Sequence, residues 1–254
     1  MRILLTNDDG VRAAGMQVLR RIAAKLSDDV WVVAPDTEQS AASRGVSLHN
    51  PVMCRRLEDR VYAVTGTPTD SVIVALKDVL ADHAPDLVLS GVNRGQNLAE
   101  DVTFSGTIAG ALQGMQMGIP SVALSLARGF QDARSLPWDT AEAHGPKIIK
   151  DLLAQGWPEK VILSVNFPDT SVDGVKGVKV TRQGHRDFQM TGVDKRKHPR
   201  GGHYFWLTYG AKNYTPNPDT DLRAIYDGYI SITPLHVDLT HQETLDALAV
   251  SMSR

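Results

Sequence analysis

Short apolar runs alternate with longer segments of helical periodicity through the first two thirds of the chain. The runs are continuous rather than alternating, and they comprise residues 3–5, 30–34, 87–89, 122–124 and 161–165. Between them, apolar or small side chains recur at helical spacing over residues 16–26, 70–80 and 105–117. Continuous apolar strands separated by helices are typical of a parallel sheet buried on both faces. The pattern predicts an α/β fold with a Rossmann-like, doubly wound, mostly parallel sheet.

The boundaries of two helices can be located from their end residues. Thr67 followed by Pro68 indicates an N-cap and the first helical position. A second helix begins at Ser105, and Gly118 with Pro120 indicates its end near Met117.

The last third of the chain has a different pattern. Residues 178–181 and 204–207 resemble antiparallel strands, and residues 194–202 between them resemble a hairpin or loop tip in which Lys195-Arg196-Lys197 is solvated. A late strand over 228–234 and a final helix from Thr240 follow. We expect a single domain, 1–254, with a core of about 1–175 and a C-terminal β-hairpin and helix extension of about 176–254 that takes part in oligomer contacts.

The net charge, the cysteine count and the length of the apolar stretches argue against several classes of function. The net charge of -2 over 254 residues argues against a general polyanion binder, so no stable nucleic-acid complex is expected and any phosphate recognition must be local. Cys54 is the one cysteine, which excludes an intramolecular disulfide and a cysteine metal cluster. The sequence has no apolar stretch of membrane-spanning length and no signal-peptide pattern at Met1, so we expect a cytoplasmic protein without membrane association.

Polar side chains follow three of the predicted strands. Asp8 and Asp9 follow the first strand, Ser40 comes after the second, and Asn93 follows the strand at 87–89. Doubly wound sheets bind ligands beyond the carboxyl ends of their strands, so these side chains should converge. Adjacent carboxylates repel unless a cation lies between them, and an all-oxygen donor set suits Mg²⁺ or Mn²⁺ better than Zn²⁺. A turn or helix N-cap would explain the two aspartates without a metal.

The helix start at Ser105-Gly106-Thr107 is a candidate phosphate site. Helix N-termini present unpaired N–H groups and a positive dipole end to anions. The glycine permits close backbone approach, the two hydroxyls add donors, and Asn97 lies nearby in sequence. Plain N-capping by Ser105 is the alternative explanation.

Several familiar catalytic motifs are absent. Gly10 and Gly15 have the spacing of a phosphate-binding loop, but Met16-Gln17 replaces the Lys-Ser or Lys-Thr pair. Neither a dinucleotide-binding glycine pattern after the first strand nor a G-x-S-x-G nucleophile motif occurs. Three hypotheses remain: a metal-dependent phosphomonoesterase, a non-catalytic nucleotide or metal sensor, and a metal-dependent transferase.

The motifs taken together resemble the SurE family of stationary-phase survival proteins. The resemblance rests on Leu5-Thr6-Asn7-Asp8-Asp9-Gly10, Ser90-Gly91-Val92-Asn93 and Phe104-Ser105-Gly106-Thr107, and it extends in order over nearly the whole chain. It implies a nucleotidase that uses one divalent cation per subunit, Mg²⁺ or Mn²⁺, to hydrolyse nucleoside 5′- and 3′-monophosphates. It also implies that the activity extends to short polyphosphate in some members and that subunits form a homodimer or homotetramer through exchanged C-terminal segments.

The resemblance also assigns residues. Asp8, Asp9, Ser40 and Asn93 match the metal ligands of the family, and Asp8 and Asp9 are the catalytic candidates. A second set matches the surroundings of the phosphate, namely Asn7, Asn97, Ser105, Gly106 and Thr107. The water could be oriented by either aspartate, and a covalent aspartyl-phosphate is the rival route.

Overall fold

The computed structural model describes residues 1–129, 135–211 and 214–253. Its strands are β1 (Arg2–Thr6), β2 (Asp29–Pro35), β3 (Cys54–Glu58), β4 (Val61–Val64), β5 (Leu87–Arg94), β6 (Ser121–Leu126), β7 (Ile162–Phe167), β8 (Val178–Val180), β9 (Phe188–Lys197), β10 (His203–Ala211) and β11 (Ile230–Leu235). Its α-helices are α1 (Ala14–Ala24), α2 (Pro68–Val74), α3 (Gly106–Gln116), α4 (Trp138–Ala154), α5 (Asp221–Tyr226) and α6 (Gln242–Met252). A π-helical turn, Ala75–Val79, extends α2, and short 3₁₀ helices occupy Ala99–Thr103 and Val172–Gly174.

Within the described residues, nine strands form one mixed sheet in the order β3-β4-β2-β1-β5-β6-β7-β11-β8. The six strands from β4 to β7 in this order are mutually parallel, whereas β3 and β11 run antiparallel to β4 and β7. After β1 the chain adds β2 and β4 on one side and β5, β6 and β7 on the other. The strand order therefore reverses between β1 and β5, which is where such sheets open a binding crevice. The predicted doubly wound, mostly parallel sheet is confirmed.

The two faces of the sheet are covered by different helices. Ile3 and Leu5 of β1 join the apolar cluster that contains the buried residues of α1 and α4. Leu4, between them, belongs to the cluster on the α2 face. This alternation is the strand period of two, and it explains why the first strand is apolar on both faces.

The helix starts predicted at Thr67 and Ser105 are confirmed, whereas the final helix begins at Gln242 with His241 as its N-cap and not at Thr240. The Thr67 side chain accepts a hydrogen bond from the Asp70 amide, the Asp70 carboxylate accepts one from the Thr67 amide, and Pro68 is the first helical residue. Ser105 caps α3, and Gly118 adopts a left-handed conformation with φ of 83° after its end. In the three stretches that the structure describes, no helix has both the length and the hydropathy needed to cross a membrane.

The C-terminal third differs from the sequence prediction in two respects. The strand at residues 178–180 does not pair with β10, because β8 lies parallel to β11 at the edge of the main sheet. The antiparallel partner of β10 is β9, a strand that runs through Lys195-Arg196-Lys197, where a loop was predicted. Charged residues are compatible with this strand because both faces of a two-stranded hairpin can meet solvent. Since β8 and β11 belong to the nine-stranded sheet, the extension is continuous with the core.

Candidate functional site

A pocket of about 630 Å³ opens at the carboxyl ends of β1, β2 and β5, next to the point where the strand order reverses. All four side chains predicted as metal ligands line it. Polar, charged and apolar side chains from five sequence regions form its wall, namely Asp8, Asp9, Glu38, Ser40, Ala41, Asn93, Arg94, Asn97, Glu100, Asp101, Phe104, Ser105, Arg186, Leu207 and Tyr209. The convergence predicted from the strand ends is therefore observed.

Asp8 is held between the end of β1 and the start of α3. Its Oδ1 accepts a hydrogen bond of 2.5 Å from the Thr107 hydroxyl, and its backbone oxygen accepts one of 2.7 Å from the Gln39 amide. A Cβ at Gly106 would lie 2.7 Å from the Asp8 Cβ, which is too close for a real side chain. Gly106 thus lets the helix approach the carboxylate, and only 5% of Asp8 is exposed.

Asp9 and Asn93 are brought together by the end of β5. The Arg94 amide donates a hydrogen bond of 3.1 Å to Asp9 Oδ2. The Asn93 side chain donates from Nδ2 to the Gly95 carbonyl at 2.9 Å, which leaves Oδ1 as the acceptor atom of that amide. Because β1 and β5 are neighbours, the contact between Arg94 and Asp9 joins residues that lie 85 positions apart in the sequence.

Ser40 reaches the pocket from the loop after β2. Its hydroxyl donates to Glu38 Oε1 at 2.7 Å, and both side chains are exposed to the cavity. The loop is attached to the first strand end because the Gln39 amide bonds to the Asp8 carbonyl. Ala41, the next residue, has a φ of 61°, a left-handed conformation that is costly for a residue with a side chain.

The two aspartates share an unfavourable electrostatic environment. The pKa of Asp8 is raised from 3.8 to about 6, chiefly by burial and in smaller part by the charge of Asp9, while the Thr107 hydrogen bond opposes both. Burial also raises the pKa of Asp9, with a contribution from Glu38, against the hydrogen bond from Arg94. A cation bound between the carboxylates would remove this penalty.

The donor set fits a hard divalent cation. Two carboxylates, a hydroxyl and an amide oxygen face one cavity, and oxygen donors of this kind suit Mg²⁺ and Mn²⁺. In the described ranges, no group of three or more His, Cys, Asp or Glu side chains is arranged to hold a metal ion. A metal at this site would therefore depend on Ser40 and Asn93 as well as on the aspartates.

Only part of the expected phosphate set lines the pocket. Ser105 does line the pocket. Its Oγ also caps α3 by accepting a hydrogen bond from the Ile108 amide, so its role as an N-cap does not prevent the start of the helix from facing the cavity. Asn97 also does, with its amide group fixed by a hydrogen bond of 2.9 Å from Nδ2 to Ser125 Oγ.

The other three members of that set lie behind the aspartates. Gly106 and Thr107 contact Asp8 as described, and Asn7 is fully buried with Nδ2 donating to the Gly10 carbonyl at 2.9 Å. The Asn7 Oδ1 has no hydrogen-bond partner among the described residues. These side chains are placed to position the acidic loop rather than to line the cavity, and their contact with phosphate stays a prediction.

Nine pocket residues did not emerge from the sequence as candidates, namely Glu38, Ala41, Arg94, Glu100, Asp101, Phe104, Arg186, Leu207 and Tyr209. Glu38 and Arg94 are close in sequence to Ser40 and Asn93, and their proximity to known candidates was a usable signal. Arg186, Leu207 and Tyr209 come from the C-terminal third, and no local pattern indicates that this region returns to the strand ends. Arg186 is nearly buried, and its guanidinium pairs with Asp101.

Comparison with known proteins agrees with this geometry. The family model described as "Survival protein SurE" matches residues 3–190. The "5'-nucleotidase SurE" of Hyphomonas neptunium is 53% identical over 251 residues, covering 99% of both chains. The protein of the same name from Caulobacter vibrioides is 56% identical over 249 residues, covering 98% of this chain and 95% of the other.

A solved structure extends the likeness to the whole fold. The SurE protein from Aquifex aeolicus, known from its crystal structure, superposes with a TM-score of 0.85 at 36% sequence identity. The match covers 99% of this chain and 100% of the other. Motifs, fold and sequence identity agree along the chain, which belongs to the SurE family.

Proposed function

We propose that this protein is a divalent-metal-dependent nucleotidase that hydrolyses nucleoside 5′-monophosphates, and 3′-monophosphates as well, to nucleoside and phosphate. The proposal rests on one observation, which is that a candidate cation site and a candidate phosphate site lie in the same pocket. Four oxygen-bearing side chains at the strand ends face the same cavity as the N-terminus of α3. The first group suits a cation and the second suits a phosphate. The names of the relatives support the nucleotide as substrate.

Asp8, Asp9, Ser40 and Asn93 would hold one Mg²⁺ or Mn²⁺ ion. When bound, such an ion neutralises charge on the transferring phosphoryl group and makes a water molecule more acidic. Two of these proposed ligands are already held in place by hydrogen bonds, because the Thr107 hydroxyl orients Asp8 and the Arg94 amide orients Asp9. Preorganised ligands lose less freedom on binding, which favours both affinity and catalysis.

The phosphate would be held by Ser105, Asn97 and the N-terminus of α3. The first N–H groups of a helix have no partner within the helix, and they point along its axis towards an anion. Asp9 is more exposed than Asp8, whose Oδ1 already accepts from Thr107. We therefore assign to Asp9 the orientation of the attacking water.

The extension supports self-association as a homodimer or homotetramer. Phe205 on β10 and Leu245, Leu248 and Met252 on α6 are all exposed in the single chain, and α6 has no buried residue. Exposed apolar surface of this kind indicates an interface. Light scattering coupled to size-exclusion chromatography should give two or four subunits, and a monomer at micromolar concentration would contradict the assignment.

The function is tested by phosphate release from a panel of nucleoside 5′- and 3′-monophosphates and short polyphosphate, with Mn²⁺, with Mg²⁺ and with EDTA. The proposal expects metal-dependent release from the 5′-monophosphates that EDTA abolishes. Folded protein that binds nucleotide but releases no phosphate with any metal would indicate a sensor. Release that requires an added acceptor would indicate a transferase.

A further inference from the structure

The segment that brings Asn97 to the pocket is held by two polar side chains that do not line the pocket themselves. Asn97 lies three residues after β5 and lines the cavity, although only 8% of it is exposed. Ser125 on β6 and Asn166 on β7 lie beneath it, and each is 1% exposed. Buried polar side chains are costly unless they are hydrogen-bonded, so the partners of these two residues indicate what they do.

Asn166 bonds to both backbone groups of Asn97. The Asn97 amide donates to Asn166 Oδ1 at 2.9 Å, and Asn166 Nδ2 donates to the Asn97 carbonyl at 3.2 Å. One side-chain amide thus satisfies the main chain of a residue that lies 69 positions away. An aspartate of the same shape would lack the donor, and an alanine would lack both groups.

Ser125 fixes the side chain of the same residue. Asn97 Nδ2 donates to Ser125 Oγ at 2.9 Å. An amide nitrogen carries two hydrogens, so this bond uses one of them and leaves the other for an acceptor in the pocket. The backbone and the side-chain amide of Asn97 are therefore held by different residues from two neighbouring strands.

Ser125 and Asn166 are also in register with Asn93, which is one of the proposed metal ligands. The pairing of β5 with β6 places Asn93 beside Ser125, and the pairing of β6 with β7 places Ser125 beside Asn166. Neighbouring strands are about 4.8 Å apart and are joined by backbone hydrogen bonds. This polar row therefore relates the metal site to the Asn97 segment within one rigid sheet.

The chain that follows Asn97 is anchored by separate contacts. Leu98 is fully buried in an apolar cluster with residues of α5. The Ala99 amide donates to Asp221 Oδ2 at 2.8 Å, and the Ala99 carbonyl accepts from Gln183 Nε2 at 2.9 Å. Because these contacts hold the next two residues, losing one bond at Asn97 should displace that residue without releasing the whole segment.

We propose that Ser125 and Asn166 are positioning residues that hold the Asn97 amide in place to bind the phosphate of the substrate. This inference rests on the proposed function, because it takes Asn97 to contact phosphate. A donor that is fixed before the substrate binds stabilises the charge of the transition state without having to reorganise. Its contribution depends on its place, since a displacement of about 1 Å can lower a rate about a hundredfold.

The test is a double-mutant cycle between each positioning residue and Asn97. We would measure kcat and KM for adenosine 5′-monophosphate with Mn²⁺ in wild type, in Ser125→Ala, Asn166→Ala and Asn97→Ala, and in the two double variants that contain Asn97→Ala. Ser121→Ala is the matched control, because Ser121 is a fully buried serine at the other end of β6 whose hydroxyl donates to the Ile119 carbonyl. Equilibrium dialysis of inorganic phosphate with Mg²⁺ gives a readout that does not depend on turnover.

Ser125→Ala and Asn166→Ala should each lower kcat/KM about tenfold or more and weaken phosphate binding, whereas Ser121→Ala should stay within about twofold of wild type. In the Asn97→Ala background the same two substitutions should change kcat/KM by less than about twofold, because the side chain through which they act is gone. Ser125→Ala removes a single oxygen atom and carries the test alone if Asn166→Ala does not fold.

A residue that only supports the fold would act whether or not the Asn97 side chain is present. Equal fold-losses with and without that side chain would therefore overturn the positioning role. Single variants that stay within about twofold of wild type, or a loss in Ser121→Ala as large as theirs, would overturn it as well.

The two proposals can fail separately. If wild type releases no phosphate from any nucleotide while Ser125→Ala weakens phosphate binding only when the Asn97 side chain is present, the nucleotidase function fails and the positioning role stands. If wild type releases phosphate but the losses do not depend on Asn97, the positioning role fails and the function stands.

Discussion

Replacing Asp8 with asparagine should stabilise the metal-free protein at neutral pH while it abolishes metal binding. Asp8 is 5% exposed, lies beside Asp9, and has its pKa raised to about 6 by burial. The folded protein therefore holds the protonated acid more favourably than the carboxylate. Asparagine has nearly the same shape, carries no charge, and can still accept the hydrogen bond from Thr107.

The magnitude follows from the difference between the folded and unfolded pKa values. A carboxyl group with a pKa of about 6 when folded and 3.8 when unfolded costs about 3 kcal/mol of stability once it is fully ionised, at about 1.36 kcal/mol per pH unit. The cost is absent below pH 3.8, grows between pH 3.8 and about 6, and is complete above about 6. The variant should thus gain about 2–3 kcal/mol at neutral pH and little in acid.

Urea unfolding in EDTA, measured from pH 4 to pH 8 for both proteins, gives the difference directly. Asp82→Asn, at an exposed position, is the matched control and should stay within about 0.5 kcal/mol of wild type throughout. Adding Mn²⁺ at pH 7.5 should then stabilise wild type and leave Asp8→Asn almost unchanged, because a neutral amide at this position binds the ion far more weakly than the carboxylate does. A stability difference independent of pH, or a variant less stable than wild type at neutral pH, would refute the reasoning.

Three further substitutions test how the site and its scaffold are held. Gly106→Ala places a Cβ 2.7 Å from that of Asp8, so steady-state assays should show at least about a hundredfold loss of phosphate release, and near-normal turnover would contradict the close approach. Thr107→Val removes the hydrogen bond that lowers the pKa of Asp8, so the acid limb of the pH–rate profile should move to higher pH, whereas Thr107→Ser should restore it. Thr67→Ala removes the cap that bonds to the Asp70 amide, and thermal unfolding should show a loss of about 1 kcal/mol that Thr67→Ser largely avoids.

The fold and the acidic centre of the site could be predicted because both follow from local patterns in the sequence. Continuous apolar runs defined the parallel strands, and in a parallel sheet the residues that follow those strands meet at one edge. Asp8, Asp9, Ser40 and Asn93 were found in this way, and the structure places all four in one pocket. Their role as metal ligands stays a prediction.

The support around the site could not be predicted from spacing. Thr107 was expected to contact phosphate because it lies in the first turn of a helix, but its hydroxyl bonds to Asp8 across 99 positions of sequence. That contact depends on the angle at which α3 meets the end of β1, which only the packed structure defines. The choice of sheet partner for β8 is likewise tertiary, since a three-residue strand carries too little pattern to specify its neighbour.

The apolar side of the pocket, formed by Phe104, Leu207 and Tyr209, could not be predicted from local sequence patterns either. Phe104 belongs to a motif that was recognised, yet nothing in its local sequence distinguishes an exposed ring in a pocket from one in a core. Leu207 and Tyr209 lie in an alternating strand pattern, and their partner across the cavity is about a hundred residues away in the chain. Such contacts depend on how the hairpin packs against the rest of the protein. Strand periodicity predicts which side chains share one face of a strand, but it does not predict which residues that face contacts.

The most direct test of the central claim is phosphate release from adenosine 5′-monophosphate by metal-stripped protein during a titration with Mn²⁺, with Asp9→Asn measured alongside. The account predicts no release in EDTA, activity that rises with metal occupancy in wild type and saturates at one ion per subunit, and a loss of both metal affinity and turnover in Asp9→Asn. Full activity in EDTA, or an Asp9→Asn variant that keeps wild-type metal affinity and turnover, would contradict it.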